Sequence, residues 1–236
     1  MEDSWKTAHA DLFTALSPRE RAGLLKFAGR RHVARGAPVF EAGEESDEIF
    51  ILRTGCIKLY QLSPGGKEII LRLAFPGELF GVAESIRRVP REISATAMVA
   101  SEVLTIERRD FIAFLRSHPE AALRAIAILS ARIRTLGSSL VELTSDDVEM
   151  RLVRLLLRFS AGTLSLPCGA SRRPGEVCMN FDLTRTDIAN LVGASRQTVT
   201  TMLARLQRDG IVRAVGHHLH VPEPLRLAHL CEKGIG

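Results

Sequence analysis

Four side chains able to address the edges of base pairs fall within two helical turns of one another: Arg196, Gln197, Thr200 and Thr201. Arginine presents two parallel donors that match guanine O6 and N7, and glutamine matches adenine N6 and N7, each pairing worth about 1 to 3 kcal/mol of discrimination. The stretch that carries them, LTRTDIANLVGASRQTVTTMLARLQRDGIV, reads as two short helices around a turn. Thr184, with Asp187 three residues on, forms a capping box that starts a helix with Ile188, Ala189 and Leu191 inward. Gly193 makes the turn, Ser195 caps a second helix whose Val199, Met202, Leu203 and Leu206 face inward, and Asp209-Gly210 stops it. Two short helices joined by a glycine-bearing turn are a helix-turn-helix unit. Arg205 and Arg208, further along the second helix, are expected nearer the phosphates, where they add affinity more than sequence choice. The candidate DNA-contacting set is therefore Thr184, Ser195, Arg196, Gln197, Thr198, Thr200, Thr201, Arg205 and Arg208. From Arg185 to Arg213 five arginines face two carboxylates, Asp187 and Asp209, so the segment is a basic patch suited to nucleic acid.

The elements around this motif must pair and aim it. Ile126, Leu129, Ile133, Leu136, Leu140 and Leu143 recur at spacings of three and four, an a/d seam that is best buried against its own copy in a parallel two-stranded coil. The alternative is a single helix docked on its own domain. Upstream, from about Gly36 to Arg108, short β-type runs alternate with glycine-bearing turns, the pattern of an all-β sandwich or barrel. The clearest pair is Ile57 to Leu62 and Glu68 to Leu73 around Ser63-Pro64-Gly65-Gly66, with Ile57, Leu59, Ile69, Leu71 and Leu73 on one face. Residues 11 to 30 read as a helical lead-in through the Ser17-Pro18 helix start. After the seam come an apolar helix at Val148 to Phe159 and a loop from Ala161 to Val177. Beyond the motif, Ile211-Val212-Arg213, a Val215-Gly216 turn and His218 to Val221 resemble a β-hairpin wing. These readings give an α+β chain: an N-terminal antiparallel β-barrel domain over residues 1–118, a dimerisation helix over 119–146, and a winged helix-turn-helix domain over 147–236.

Composition sets the outer limits. A chain of 236 residues is long enough for two modest domains, each with its own core. No run approaches the roughly 18 uninterrupted apolar residues that a membrane span needs. Glu2, Asp3 and Lys6 stand where a secretory signal would have a basic start and an apolar run, so a cytoplasmic location is expected. Cys56, Cys168, Cys178 and Cys231 form no CxxC pair, and reduced thiols with no metal site are expected. The barrel segment contains no histidine, which argues against a cupin-type metalloenzyme, and no enzymatic activity is expected.

With these pieces in place the chain resembles the cyclic-AMP receptor protein / fumarate-nitrate-reduction regulator (CRP/FNR) family over about residues 20 to 225. The resemblance is carried by VFEAGEESDEIFILRTGCIKLYQLSPGGKEI, PGELFG, SATA, RLVRLLLRF and ASRQTVTTMLARLQRDG. It implies a jelly-roll barrel of the cyclic-nucleotide-binding type, control by a small-molecule effector, RNA polymerase as a partner and a palindromic DNA site with a TGT- or TTG-like half. The effector-binding segment would comprise Gly81, Val82, Glu84, Ser85, Arg91, Ser94 and Thr96. In cyclic-AMP binders of the family a glutamate and an arginine hold ribose and phosphate. Aligned on Gly81 and Ser94, those positions here are Val82 and Ile93, so cyclic AMP is a poor candidate: a buried phosphate without its arginine is an uncompensated charge. Arg87, Arg88 and Arg91 lie nearby and could recognise a different anion, such as an organic acid, although a solvated basic loop is the first reading. The iron-sulfur branch of the family uses an N-terminal cysteine group, and no cysteine precedes Cys56, so a cluster is disfavoured. Haem is disfavoured as well, with only His9, His32 and His118 as plain candidates. His217, His218 and His220 alternate faces along the wing and are expected at phosphates or in solvent. A regulatory nucleotide-binding module serving another protein is the alternative function.

Overall fold

The computed structural model describes residues 12–160, 176–179, 183–215 and 218–233. The chain divides into two units between Gly137 and Ser138. In the first, strands β1 (Ala28–Val33), β8 (Ser101–Glu107), β3 (Glu48–Thr54) and β6 (Leu79–Phe80) pair in that order. A second sheet runs β2 (Pro38–Phe40), β7 (Ser94–Ala97), β4 (Ile57–Leu62) and β5 (Glu68–Ala74). Neighbouring strands in both sheets pair antiparallel. Phe50, Leu52 and Phe80 from one sheet and Phe40, Ile57 and Leu59 from the other share a single core, which gives the sandwich a jelly-roll character.

Two features of these sheets depart from the sequence pattern. Strand β1 begins at Ala28, eight residues ahead of the expected β region; four of its six residues are exposed, so AGRRHV carries no alternation to betray a strand. On β5 it is Ile70 that is buried, at 6% exposure, while Ile69 and Leu71 are 46% and 39% exposed. A register shift between Leu59 and Tyr60 on the partner strand sets Tyr60 opposite Ile70 and Leu59 opposite Arg72.

Helices α1 (Leu12–Ala15) and α2 (Pro18–Leu25) precede β1, and α2 starts on a capping box of Ser17 with Glu20. A short helix, α3 (Val82–Arg87), follows β6, and α4 (Arg108–Ser117) follows β8. Then Pro119 opens the 27-residue helix α5 (Pro119–Ser145). One face of α5 puts Ala121, Ala125 and Ile128 into a cluster with Ile49, Leu104 and Phe111. Arg132, further along α5, shares Glu78 Oε2 with Arg72: the carboxylate is fully buried, Arg72 Nη1 lies at 2.5 Å and Arg132 Nη2 at 3.3 Å. Burial, together with the neighbouring Arg72 charge, pulls the Arg132 pKa down to about 10. The other face of α5 exposes the expected seam: Ile126, Leu129, Ile133, Leu136, Leu140 and Leu143 are 38 to 70% exposed in the single chain.

In the second unit, α6 (Val148–Ser160) buries Leu152, Val153, Leu156 and Phe159 and contacts both α7 (Arg185–Val192) and α9 (Pro224–Lys233). Helix α8 (Arg196–Arg208) packs on α7. The wing is a three-stranded antiparallel sheet, β10 (Arg213–Val215), β11 (His218–Val221) and β9 (Val177–Met179). Its third strand stands at the C-terminal end of the Ala161 to Val177 loop, most of which lies outside the described residues, as does His217. Among the described residues no helix is long and apolar enough to cross a membrane.

Candidate nucleic-acid interface

Local hydrogen bonding explains why this stretch folds as two helices with a fixed turn. Asp187 N donates to Thr184 Oγ1 at 3.1 Å and Thr184 N donates to Asp187 Oδ2 at 3.0 Å, so the capping box closes as the sequence implies. Gly193 ends α7 at φ 65°, in the left-handed region where a side chain is strained. A Cβ there would also come within 3.0 Å of Leu143 Cδ2. Two residues on, Ser195 Oγ accepts from Thr198 N at 3.0 Å and starts α8.

Helix α8 then sorts its residues cleanly. Val199, Leu203 and Leu206 are at most 2% exposed and face the domain. Arg196, Gln197, Thr200, Thr201, Arg205 and Arg208 are exposed, whereas Thr198 is half-buried beside Ser195, its Oγ1 2.7 Å from Ser195 Oγ. The inward expectations need two corrections. Met202 is only half-buried, and on α7 it is Val192, not Leu191, that joins Ile188 and Ala189 in the interior. Thr200 Oγ1 donates to Arg196 O at 2.8 Å and Thr201 Oγ1 to Gln197 O at 3.2 Å.

The charge count across this face is smaller than the sequence window suggests. Arg205 Nη2 is bonded to Glu149 Oε1 on α6, and Arg213 holds Glu176 through contacts of 2.8 to 3.0 Å. Glu149 and Glu176 lie outside the 185–213 window, so counting charges along the sequence could not find them. Burial lowers the Arg185 pKa from its usual value. His220, expected in solvent or at phosphate, is instead fully buried with Nδ1 3.4 Å from Glu176 Oε1. Its strand pairs on both edges, with β10 and β9, which turns this position inward. Cys178, pairing with His220 across β9 and β11, is disulfide-bonded rather than a reduced thiol, with its partner outside the described residues. Cys56 is fully buried, as expected of a small hydrophobe, but in the turn between β3 and β4 rather than inside a strand.

In the first unit the effector-segment residues gather around α3 and β7. Gly81 adopts φ 69°, Val82 is 8% exposed, and Ser85 Oγ donates to Glu48 O at 2.8 Å. Ser94 Oγ accepts from Ala42 N at 3.0 Å, and Thr96 is half-buried on β7 between Pro38 and Lys58. The reading of Arg91 as part of a solvated loop is overturned. It is 3% exposed, donates to Gly81 O at 2.7 Å and Glu48 O at 2.5 Å, and lies 4.3 Å from the Phe40 ring centre. Arg87 and Arg88 do remain exposed. Ile93, the residue aligned with the phosphate arginine, packs on the inner core instead. Burial lowers the Arg91 pKa, and the charges of Glu84, Glu48, Glu44 and Asp47 work in the opposite direction. A cleft of about 280 Å³ opens beside it, lined by Phe40, Phe50 and Arg91 with Glu44, Glu45 and Glu48.

A capped helix pair with a hydrophilic reading face and a β wing defines a winged helix-turn-helix DNA-binding domain, here joined to a jelly-roll domain and a long helix. Known proteins agree on both parts. Residues 30–118 match the cyclic nucleotide-binding domain model, and residues 150–230 match the Crp-like helix-turn-helix domain. The chain is 30% identical over 221 residues to the CRP-like cAMP-activated global transcriptional regulator of Mycobacterium tuberculosis, covering 94% of this chain and 96% of that one. It is 30% identical over 202 residues to the cyclic AMP receptor protein of Thermus thermophilus, covering 86% and 88%. FixK2 from Bradyrhizobium japonicum superposes with a TM-score of 0.72 at 20% identity, over 86% of this chain and 96% of that one. A CRP-family transcriptional regulator from Thermus thermophilus gives 0.70 at 24% identity, over 87% and 98%. The chain belongs to the CRP/FNR family of DNA-binding transcription regulators.

Proposed function

We propose that the protein is a cytoplasmic homodimer that regulates transcription by reading a palindromic duplex. Residues 1–118 sense an effector, 119–146 hold the two copies together and 147–236 read DNA. Two copies of α8 enter successive major grooves about 34 Å apart, so the two-fold axis of the dimer is matched by two-fold symmetry in the site. The observation that carries this reading is the joint exposure of Arg196, Gln197, Thr200 and Thr201 on the first turns of α8, backed by a buried Val199, Leu203 and Leu206. The exposed seam on α5 supports the dimer. Arg196 contacts guanine, Gln197 the adjacent base, and Arg208 the backbone, while RNA polymerase is engaged through the Ala161 to Val177 loop and a barrel surface. The role is binding, not catalysis. Replacing Arg196 by alanine should abolish preference for the selected site in a competition shift assay while weak, salt-sensitive binding persists. Unchanged specificity would refute the assignment.

The effector is proposed to be something other than cyclic AMP. Val82 offers no carboxylate to a ribose, Arg91 already donates to two backbone carbonyls, and three glutamates line the cleft beside it. Two observations favour a second reading, in which cyclic AMP is the effector: Arg91 Nε is buried without a hydrogen-bond partner next to Gly81, and two relatives are named for cyclic AMP. Calorimetric titration with cyclic AMP separates the two. No heat at millimolar ligand supports the first, and saturable binding replaces it with the second.

A further inference from the structure

The first turn of α6 holds both helices of the reading motif. Asp147 caps α6 by accepting from Met150 N at 2.7 Å. Arg151 Nε donates to Val192 O at 2.8 Å, satisfying a carbonyl that the end of α7 leaves open, while Arg151 Nη1 donates to Asp146 O at 2.6 Å. Glu149, in the same turn, is 8% exposed and accepts from Arg205 on the third turn of α8. Arg205 lies one turn before Arg208 and, at about 100° per residue, about 60° around the helix from it. It therefore sits on the flank of the reading face, tilted toward α6 rather than toward a docked duplex.

We propose that Glu149 and Arg205 are a positioning pair that fixes the roll of α8 on α6, so that Arg205 sets sequence discrimination and is not one of the phosphate contacts. The inference rests on the DNA-reading role of α8. The Glu149 side chain is 10% exposed and its carboxylate is costly to leave unpaired, so it holds the half-exposed Arg205 guanidinium, 47% exposed, in a fixed direction. Such a bond also withdraws the arginine charge from the phosphates. A rotation of α8 by a fraction of a turn would move Arg196 and Gln197 away from their base edges together, whereas a lost phosphate contact would weaken every sequence alike.

The test uses the full-length protein and two duplexes: a palindrome selected by the wild type from a random pool, and a scrambled duplex of equal length. Failure of the wild type to select any site overturns the DNA-reading role itself, separately from the pair. Affinities for both duplexes are measured by fluorescence anisotropy across a salt series for Arg205→Met, Arg205→Lys and Glu149→Gln, with circular dichroism confirming the fold of each. A phosphate contact contributes about 0.9 to the slope of log K against log salt. We expect Arg205→Met to leave the slope on the scrambled duplex unchanged and to lower the selected-to-scrambled affinity ratio at least tenfold. Arg205→Lys keeps a cation on Glu149 and should recover most of that ratio. Glu149→Gln releases the guanidinium and should raise the slope by about 0.9 per copy while the ratio falls. Simple destabilisation moves both affinities together and leaves the ratio alone. The pair is overturned if Arg205→Met drops the slope by about 0.9 per copy with its ratio intact, or if Glu149→Gln changes neither quantity. Should Arg205→Met fail to fold, the lysine and glutamine variants decide the matter on the same two readouts.

Discussion

Replacing Ile133 and Leu140 by aspartate should convert the proposed dimer into a folded monomer. The six seam side chains are 38 to 70% exposed in the single chain. Full burial of a leucine or isoleucine contributes about 1.5 to 3 kcal/mol, so a half-exposed one gains about 1 kcal/mol when a second copy covers it. Twelve such side chains in the pair contribute about 12 kcal/mol, against an association cost of about 4 to 15 kcal/mol. The dimer therefore depends on nearly all of them. Ile133 and Leu140 are the two most exposed of the six, at 70% and 66%. Each substitution removes about 1 to 2 kcal/mol per copy, and the double variant about 4 to 8 kcal/mol per dimer, a loss of at least about a thousandfold in Kd. Carboxylates facing each other across the seam add to this. Sedimentation equilibrium at micromolar concentration reads the result, with far-UV circular dichroism expected to stay as in the wild type, because neither residue is buried in one chain. A variant that still sediments as a dimer with wild-type affinity would refute the seam as the interface.

Two further outcomes follow from local contacts. Thr184→Ala removes the hydroxyl that accepts from Asp187 N, leaving the Thr184 N bond to Asp187 in place, and should lower the stability of the reading domain by about 1 kcal/mol, seen in urea melts, with a matching loss of specific DNA binding; an unchanged midpoint would contradict it. In the first unit, Glu20 accepts from Ser17 N at 2.7 Å and from Arg124 Nη2 at 2.6 Å, and the Ser17 bonds chiefly hold its pKa below 4.5. A carboxyl with a depressed folded pKa stabilises above its ordinary value, and that stability fades as pH falls through the lowered one. Glu20→Gln should flatten the pH dependence of thermal unfolding below pH 4.5, and an identical slope in both proteins would count against this account.

The reading motif was legible because its signals are local: a threonine and an aspartate three apart, one glycine at a left-handed turn, one serine cap. The same holds for the seam, where a period of three and four needs no partner to be seen. What escaped were contacts between residues far apart in the chain. Glu149 and Arg205 meet across 56 positions, so the arginine looked like a spare cation. Arg91 sits in a stretch of three arginines and looked solvated, yet carbonyls from Gly81 and Glu48 draw it inside. Strand β1 lacked alternation, and the shift at Leu59 and Tyr60 exchanged which isoleucine of β5 points inward. His220 was misjudged because a third strand, from ahead of the helix-turn-helix, joins the wing beside it.

The two threonines of α8 have a bearing on which letters the helix can read. Because each hydroxyl proton is already given to a carbonyl one turn back, at 2.8 Å for Thr200 and 3.2 Å for Thr201, neither has a hydrogen left for a purine acceptor. What they turn outward is a methyl group and oxygen lone pairs, surfaces that suit the thymine C5-methyl and the amino groups of cytosine and adenine. Polarity at these two positions is thus one-directional: in the proposed complex the pair can accept from cytosine or adenine amino groups but cannot donate to guanine, which is left to Arg196.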